Sequence, residues 1–187
     1  NDPWLTRHAI DLLSEYLQND HRGIEWGSGR STFWFASRVA HLVSMEHNPE
    51  WFARVKDKLA QAGLSNVDQN LVEAPQGEES SQDILNRYVE VVNRVEDAAL
   101  DFALVDALAR AECMLGVIPK LKPGGWLIFD NSNWYVPSSS RAPSPKEAKA
   151  GPVSEKFAEV LSLTSSWERI ETTNGVWDTL IFIKPEG

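Results

Sequence analysis

The sequence is poor in cysteine, has no long apolar run and carries no excess of basic residues, and each shortage removes a class of protein. A single cysteine, Cys113, allows no internal disulfide; this excludes a small disulfide-stapled scaffold and fits a reducing compartment, with the cytoplasm as the expected location. No stretch of about 18 apolar residues is present to cross a bilayer, and no signal-peptide apolar core is visible. Lys and Arg number 18 against 27 Asp and Glu, a formal charge of -9. Long-range attraction to a phosphate backbone is disfavoured, so neither a nucleic-acid nor a membrane partner is expected. His8, His21, His41 and His47 show no metal-ligand spacing, and no internal repeat is visible.

What is present suits one folded unit. With 187 residues, 42% hydrophobic and 24% charged, the chain has the size of a single domain, expected to span 1–187 and to bury roughly 70% of its unfolded surface. Ala9, Ile10, Leu13, Tyr16 and Leu17 fall at helical spacing behind Thr6, a candidate cap. "RGIEWGSG" reads as a strand running into a glycine turn, and "STFWFASRVA" as the helix that follows. "HLVSMEHN" is a second strand, and its helix has Asn48 as cap, Pro49 at the first position and Gly63 as stop.

"VDQNLVEA" reads as a third strand, Pro75 to Ser81 as an acidic loop and "QDILNRYVEVVNRV" as a helix. "DFALVDA" has the continuous apolar content of a strand buried in a parallel sheet. "ARAECMLGVIPKL" is a helix ended by the turn "KPGG", with "WLIFDN" as the fifth strand. Residues 131–152, rich in Ser, Pro, Ala and Lys, are expected to form a lid-like segment without regular structure. A final helix, "PVSEKFAEVLSLTSS", precedes two strand-like runs around Asn174-Gly175, a hairpin signal. Alternation of strands and helices followed by a hairpin predicts an α/β, doubly wound, mainly parallel, Rossmann-like sheet with an antiparallel end.

In such a sheet ligands bind beyond the carboxyl ends of the strands, where the first strand-to-helix turn lies. That turn is "GSGRST". Gly27 and Gly29 let the main chain approach a ligand, and free N–H groups after Ser31 suit a carboxylate or phosphate. Glu25 ends the first strand, where a carboxylate suits a ligand ammonium. Glu46 ends the second, where an acceptor-only carboxylate can take hydrogen bonds from ribose hydroxyls. A nucleotide cofactor and an adenosyl sulfonium both satisfy these features.

Taken together, "IEWGSGRST", "LVSMEHNPEW", "FALVDA", "LKPGGWLIFDN" and the closing hairpin resemble the class I S-adenosylmethionine-dependent methyltransferases, over nearly the whole chain. The resemblance implies that Gly27, Ser28 and Gly29 line the cofactor, that Glu25 and Ser31 serve its methionine end, and that Glu46 holds the ribose with His47 beside it. "SMEHNPEW" and the Ser80–Leu85 run "SSQDIL" also resemble the catechol O-methyltransferase group, the second as an adenine-contacting segment. By that likeness Asp106, Asp130 and Asn131 would hold Mg²⁺, which takes hard oxygen donors. Asp106 and Asp130 are then the candidate catalytic residues. The alternative is that Asp106 positions cofactor or acceptor while Asp130-Asn131 caps a strand. One departure is plain: Ala109 stands where that group has a lysine base.

The expected acceptor is a small molecule, methylated at oxygen, with Trp134 and Tyr135 as its aromatic contacts in the lid. Other functions compatible with the glycine turn are an NAD-dependent oxidoreductase and a non-catalytic cofactor-binding scaffold. A homodimer is compatible with the sequence, which does not fix the oligomeric state.

Overall fold

A computed structural model describes residues 2–73, 77 and 82–186. Ser80, Ser81 and all of the acidic loop except Gly77 lie outside the described residues, so the start of "SSQDIL" does too. Among the described residues a seven-stranded sheet runs in the order β3-β2-β1-β4-β5-β7-β6. Its strands are β1 (Arg22–Trp26), β2 (His41–Glu46), β3 (Val67–Leu71), β4 (Leu100–Val105), β5 (Leu121–Asp130), β6 (Glu168–Thr173) and β7 (Asp178–Ile183). β1 to β5 pair in parallel. β7 runs antiparallel to both neighbours, and its pairing with β6 is the one that the hairpin signal predicted.

The helices are α1 (Arg7–Tyr16), α2 (Arg30–Ala36), α3 (Pro49–Gln61), α4 (Gln82–Glu90), α5 (Arg110–Val117), α6 (Lys146–Ala150) and α7 (Glu155–Leu163). On one face of the sheet Ala9, Ile10 and Leu13 of α1 join Trp34 and Phe35 of α2 over Leu42, Phe102 and Leu104. On the other, Tyr88 of α4, Met114 and Val117 of α5 and Phe157 of α7 pack on Ile24, Val105 and Phe129. Burial on both faces explains why β4 has no exposed position. Thr6 caps α1, Asn48 caps α3 and Ser154 caps α7, each side chain accepting a backbone N–H of the first turn.

Gly23 is fixed by packing. A Cβ there would lie 2.1 Å from the Phe102 ring, so β1 and β4 approach this closely only because the position is bare.

Two expectations of local structure differ from the fold. Lys122–Gly125, read as a turn, lies within β5, where the register against β4 shifts and Gly124 takes a φ of +75°; the glycines permit a bulge as readily as a turn. Residues 131–152, expected to lack regular structure, contain a 3₁₀ turn at Ser132–Trp134 and the helix α6. The segment is tied to the hairpin. Ser138 and Ser140 donate to the Asp178 carboxylate, and the Ser139 amide donates to Glu171 at 2.9 Å. Short hydroxyl side chains in the segment read as a lid therefore serve as hydrogen-bond donors to buried and half-buried acids.

Candidate functional site

The parallel strands β2, β1 and β4 end side by side, and a cleft of about 400 Å³ opens over their carboxyl ends. Gly27, Ser28, Gly29 and Ser31 of the first turn form one wall, and Glu46, His47, Asn48 and Trp51 form the other. Leu104, Asp106 and Ala107 line the floor, and Pro3, Trp4 and Leu5 approach from the chain's start. The size lies within the range of small-ligand sites. The glycine turn and the acid ending β2 face one cleft.

The turn is shaped by its own packing before any ligand enters. Gly27 has a φ of +98°, and a Cβ on it would lie 2.5 Å from the Asp106 carbonyl oxygen. It is glycine because β1 must turn against the end of β4. Gly29 is different: its backbone is extended and a Cβ would meet nothing nearer than the Trp51 indole at 3.8 Å. Its bareness leaves room in the cleft.

A hydrogen-bond chain holds the turn from behind. The Gly29 amide donates to the Thr32 hydroxyl at 2.8 Å, Thr32 donates to the Glu25 carboxylate, and Ser44 donates to the same Glu25 oxygen at 2.7 Å. Glu25 is fully buried and does not line the cleft; its other oxygen has no hydrogen-bond partner. Burial pushes its carboxyl up to about 7, against the opposing effect of the bonds from Thr32 and Ser44.

Glu46 is saturated with donors. Its Oε2 accepts the Ser28 amide at 3.2 Å and the Ser28 hydroxyl at 3.0 Å, and its Oε1 accepts the His47 and Asn48 amides at 2.9 Å each. Trp51, three residues beyond the Asn48 cap, donates its indole N–H to the Ser28 carbonyl at 2.6 Å. The sequence reading missed Trp51. The run "EHNPEW" puts it one turn into α3 but gives no sign that the ring reaches back to the glycine turn.

The candidate metal group does assemble at the ends of β4 and β5, around Arg110, to which the sequence analysis gives no role. Arg110 donates from Nη2 to Asp106 Oδ1 at 3.0 Å and to Asn131 Oδ1 at 3.3 Å, and from Nη1 to the Asp130 carbonyl at 2.5 Å. The Asp130 side chain accepts the Thr179 hydroxyl at 2.5 Å from within the β5–β7 pairing. Burial and the neighbouring Asp106 charge push the Asp130 carboxyl up to about 7, and burial also raises Asp106 despite its ion pair with Arg110. Among the described residues there is no cluster of three or more His, Cys, Asp or Glu side chains fit to hold a metal. Of the side-chain oxygens expected to hold Mg²⁺, those of Asp106 and Asn131 are spent on a guanidinium and that of Asp130 is turned to Thr179, so these residues do not fit the ion.

Neither Trp134 nor Tyr135 lines the cleft. Tyr135 packs against Phe129 and Phe157, with the Arg110 guanidinium over its ring at 5.3 Å, whereas Trp134 is 57% exposed. The left-handed backbone at Asn131, φ 53°, starts the 3₁₀ turn that separates these two rings. Cys113 is buried in the core.

A sheet ordered 3-2-1-4-5-7-6, with a glycine turn facing a strand-end acid across one cleft, is a Rossmann-like architecture with its ligand site at the carboxyl ends of the strands. The chain belongs to the methyltransferase domain family, which it matches over residues 24–132, and its fold is that of class I methyltransferases. A caffeoyl-CoA O-methyltransferase-like protein from Staphylococcus aureus is 20% identical, with a TM-score of 0.65 over 97% of this chain and 85% of that one. A methyltransferase-like protein from Streptococcus mutans, solved with S-adenosylhomocysteine, is 12% identical, with a TM-score of 0.61 over 93% of this chain and 94% of that one. An rRNA methylase from Streptococcus thermophilus is 11% identical, with a TM-score of 0.60 over 96% of this chain and 95% of that one. At such identities the likeness is one of fold. No curated protein matches the sequence. Among the described residues no helix is long and apolar enough to cross a membrane.

Proposed function

We propose that the chain transfers a methyl group from S-adenosylmethionine to an oxygen of a small-molecule acceptor, in the cleft over β1, β2 and β4. The observation that carries this reading is that Gly27, Ser28 and Gly29 face Glu46 and His47 across a single cleft of about 400 Å³. When bound, S-adenosylmethionine supplies an electrophilic methyl carbon on a sulfonium. Glu46 takes the ribose hydroxyls, His47 lies beside it, and Ser31 meets the methionine end, with Glu25 acting from behind the wall by fixing the turn through Thr32. Asp106, on the floor, orients the donor or the acceptor.

Orientation alone supplies roughly 7–11 kcal/mol of barrier lowering in well-aligned reactions, so no covalent enzyme intermediate is required. Trp4 and Trp51 are the aromatic groups in the cleft itself, and the exposed Trp134, on the turn after β5, meets the acceptor from segment 131–152 as the covering element. Asp130, buried at the end of β5 with its carboxylate on Thr179, supports this site from behind the cleft floor. The net charge of -9 favours a small acceptor over an RNA, although an rRNA methylase shares the fold.

Calorimetric titration with S-adenosylhomocysteine and with NAD tests the site. Saturable binding of the first alone is expected, and binding of NAD alone would overturn the reading. Transfer of labelled methyl from S-adenosylmethionine to a panel of phenols, carboxylic acids and ribosomal RNA tests the acceptor. Label appearing only in RNA would reject the small-molecule assignment, and tight cofactor binding with no labelled product would favour a scaffold.

A further inference from the structure

At the ends of β4 and β5 the oxygens of Asp106, Asn131 and Asp130 converge on one cation, and that cation is a side chain. Arg110 makes four hydrogen bonds there and to the preceding turn: to Asp106 Oδ1 at 3.0 Å, Asn131 Oδ1 at 3.3 Å, the Asp130 carbonyl at 2.5 Å and the Ala107 carbonyl at 3.1 Å. The Tyr135 ring faces the guanidinium at 5.3 Å, and the Arg110 side chain is only 12% exposed. Five groups, from the end of β5 and from the segments that follow β4 and β5, enclose it.

The backbone on both sides of this group is bent to the same end. Ala109 has a φ of 50° and Asn131 a φ of 53°, the left-handed region that non-glycine residues seldom occupy. Conformations of that kind persist where surrounding contacts over-determine them. The contacts here are those of Arg110, the residue after Ala109, with Asn131 itself. Ala109 is also the position where the resemblance placed a lysine. The chain thus has no cationic side chain at that position and holds one at the next.

We propose that Arg110 is a resident cation that occupies the seat given to a divalent metal in the catechol O-methyltransferase group, and that this chain binds no divalent metal there. The inference deepens the proposed methyltransferase site and rests on that reading for its place beside the cleft. An arginine keeps its charge throughout the working pH range and cannot yield the seat by losing a proton. Mg²⁺ requires oxygens at about 2.0–2.1 Å in near-octahedral array. To meet that, Asp106 and Asn131 would have to abandon the guanidinium and leave a buried positive charge beside a dication, a doubly unfavourable exchange. Arg110 acts through Asp106, whose carboxylate it holds at the cleft floor, and is a positioning residue.

Mn²⁺ titration of the full chain, followed by electron paramagnetic resonance of the free ion, tests the proposal. Wild type is expected to show no saturable site tighter than about 1 mM, and Arg110→Ala to gain one at least about tenfold tighter than any wild-type binding. Arg110→Lys, which keeps a cation, is expected to behave as wild type. A stoichiometric Mn²⁺ site in wild type that disappears in Asp106→Asn would overturn the proposal, and so would a folded Arg110→Ala that binds no Mn²⁺. If Arg110→Ala does not fold, the wild-type titration decides. S-adenosylhomocysteine affinity measured in parallel keeps the readings apart: its loss in wild type sinks the methyltransferase site, and the manganese result still judges Arg110.

Discussion

Ser28 donates both its amide and its hydroxyl to one oxygen of Glu46, so the glycine turn and the acid ending β2 are joined across the cleft that they line. With His47 and Asn48 on the other oxygen, the carboxylate has its full complement of acceptor bonds. A ribose approaching Glu46 must displace a donor. The Ser28 hydroxyl, which turns about a single bond, is the one that can leave.

Two substitutions therefore separate the roles. Glu46→Ala is expected to weaken S-adenosylhomocysteine binding by about 1.5–3 kcal/mol, the range for a charged hydrogen bond. Ser28→Ala removes the competing hydroxyl and is expected to leave affinity unchanged or a few-fold tighter in the same calorimetric titration. A Glu46→Ala protein that folds and binds as wild type would remove the ribose assignment.

The two glycines should respond differently to alanine. Gly27→Ala meets the Asp106 carbonyl and a positive φ, so a stability loss of about 1–3 kcal/mol is expected in urea denaturation. Gly29→Ala has room for its methyl and an extended backbone, and its stability should stay within about 0.5 kcal/mol of wild type. Its methyl enters the cleft, so cofactor affinity should fall while the fold holds.

Trp51→Phe deletes the indole N–H that reaches the Ser28 carbonyl at 2.6 Å. A loss of about 1 kcal/mol in stability is expected from one such bond. Because the bond holds the glycine turn, cofactor dissociation followed by stopped-flow fluorescence should also quicken.

Glu25 gives a pH test. Its folded carboxyl titrates near 7, above its unfolded value of 4.5, so the folded chain binds the proton more tightly. The contribution is fully present below the unfolded value and is lost as pH rises through 7. Glu25→Gln, a neutral mimic, should gain on wild type by roughly 1–3 kcal/mol between acidic pH and pH 8. Parallel stability curves for the two proteins would contradict the raised value.

The part of the site legible in the sequence was the part built from local spacing. Two glycines behind Glu25 announced a strand-to-helix turn, and the Asn48-Pro49 pair announced α3, because caps and turns are made by neighbours in the chain. Glu46 could be placed at the cleft from its position at the end of β2. Trp51 and Arg110 could not be assigned, since what matters in each is a long side chain reaching a carbonyl 23 or 20 residues away. Gly27 was read correctly as a bare position but for an incomplete reason: the space it clears belongs first to the Asp106 carbonyl. Segment 131–152 read as a lid without regular structure because the acids that bind its serines, Glu171 and Asp178, come from the final hairpin.

β7 is the last strand in sequence yet lies inside the sheet, hydrogen-bonded to β5 on one side and β6 on the other. Trimming the chain from its end therefore does not peel a margin from the molecule. Loss of Asp178–Ile183 would unzip two ladders at once and strip Asp130 of its only hydroxyl donor among the described side chains. It would also cast loose the serine-bearing stretch that Asp178 anchors. β7 is a keystone for the half of the sheet beyond β4, while the ladders joining β2, β1 and β4 do not run through it.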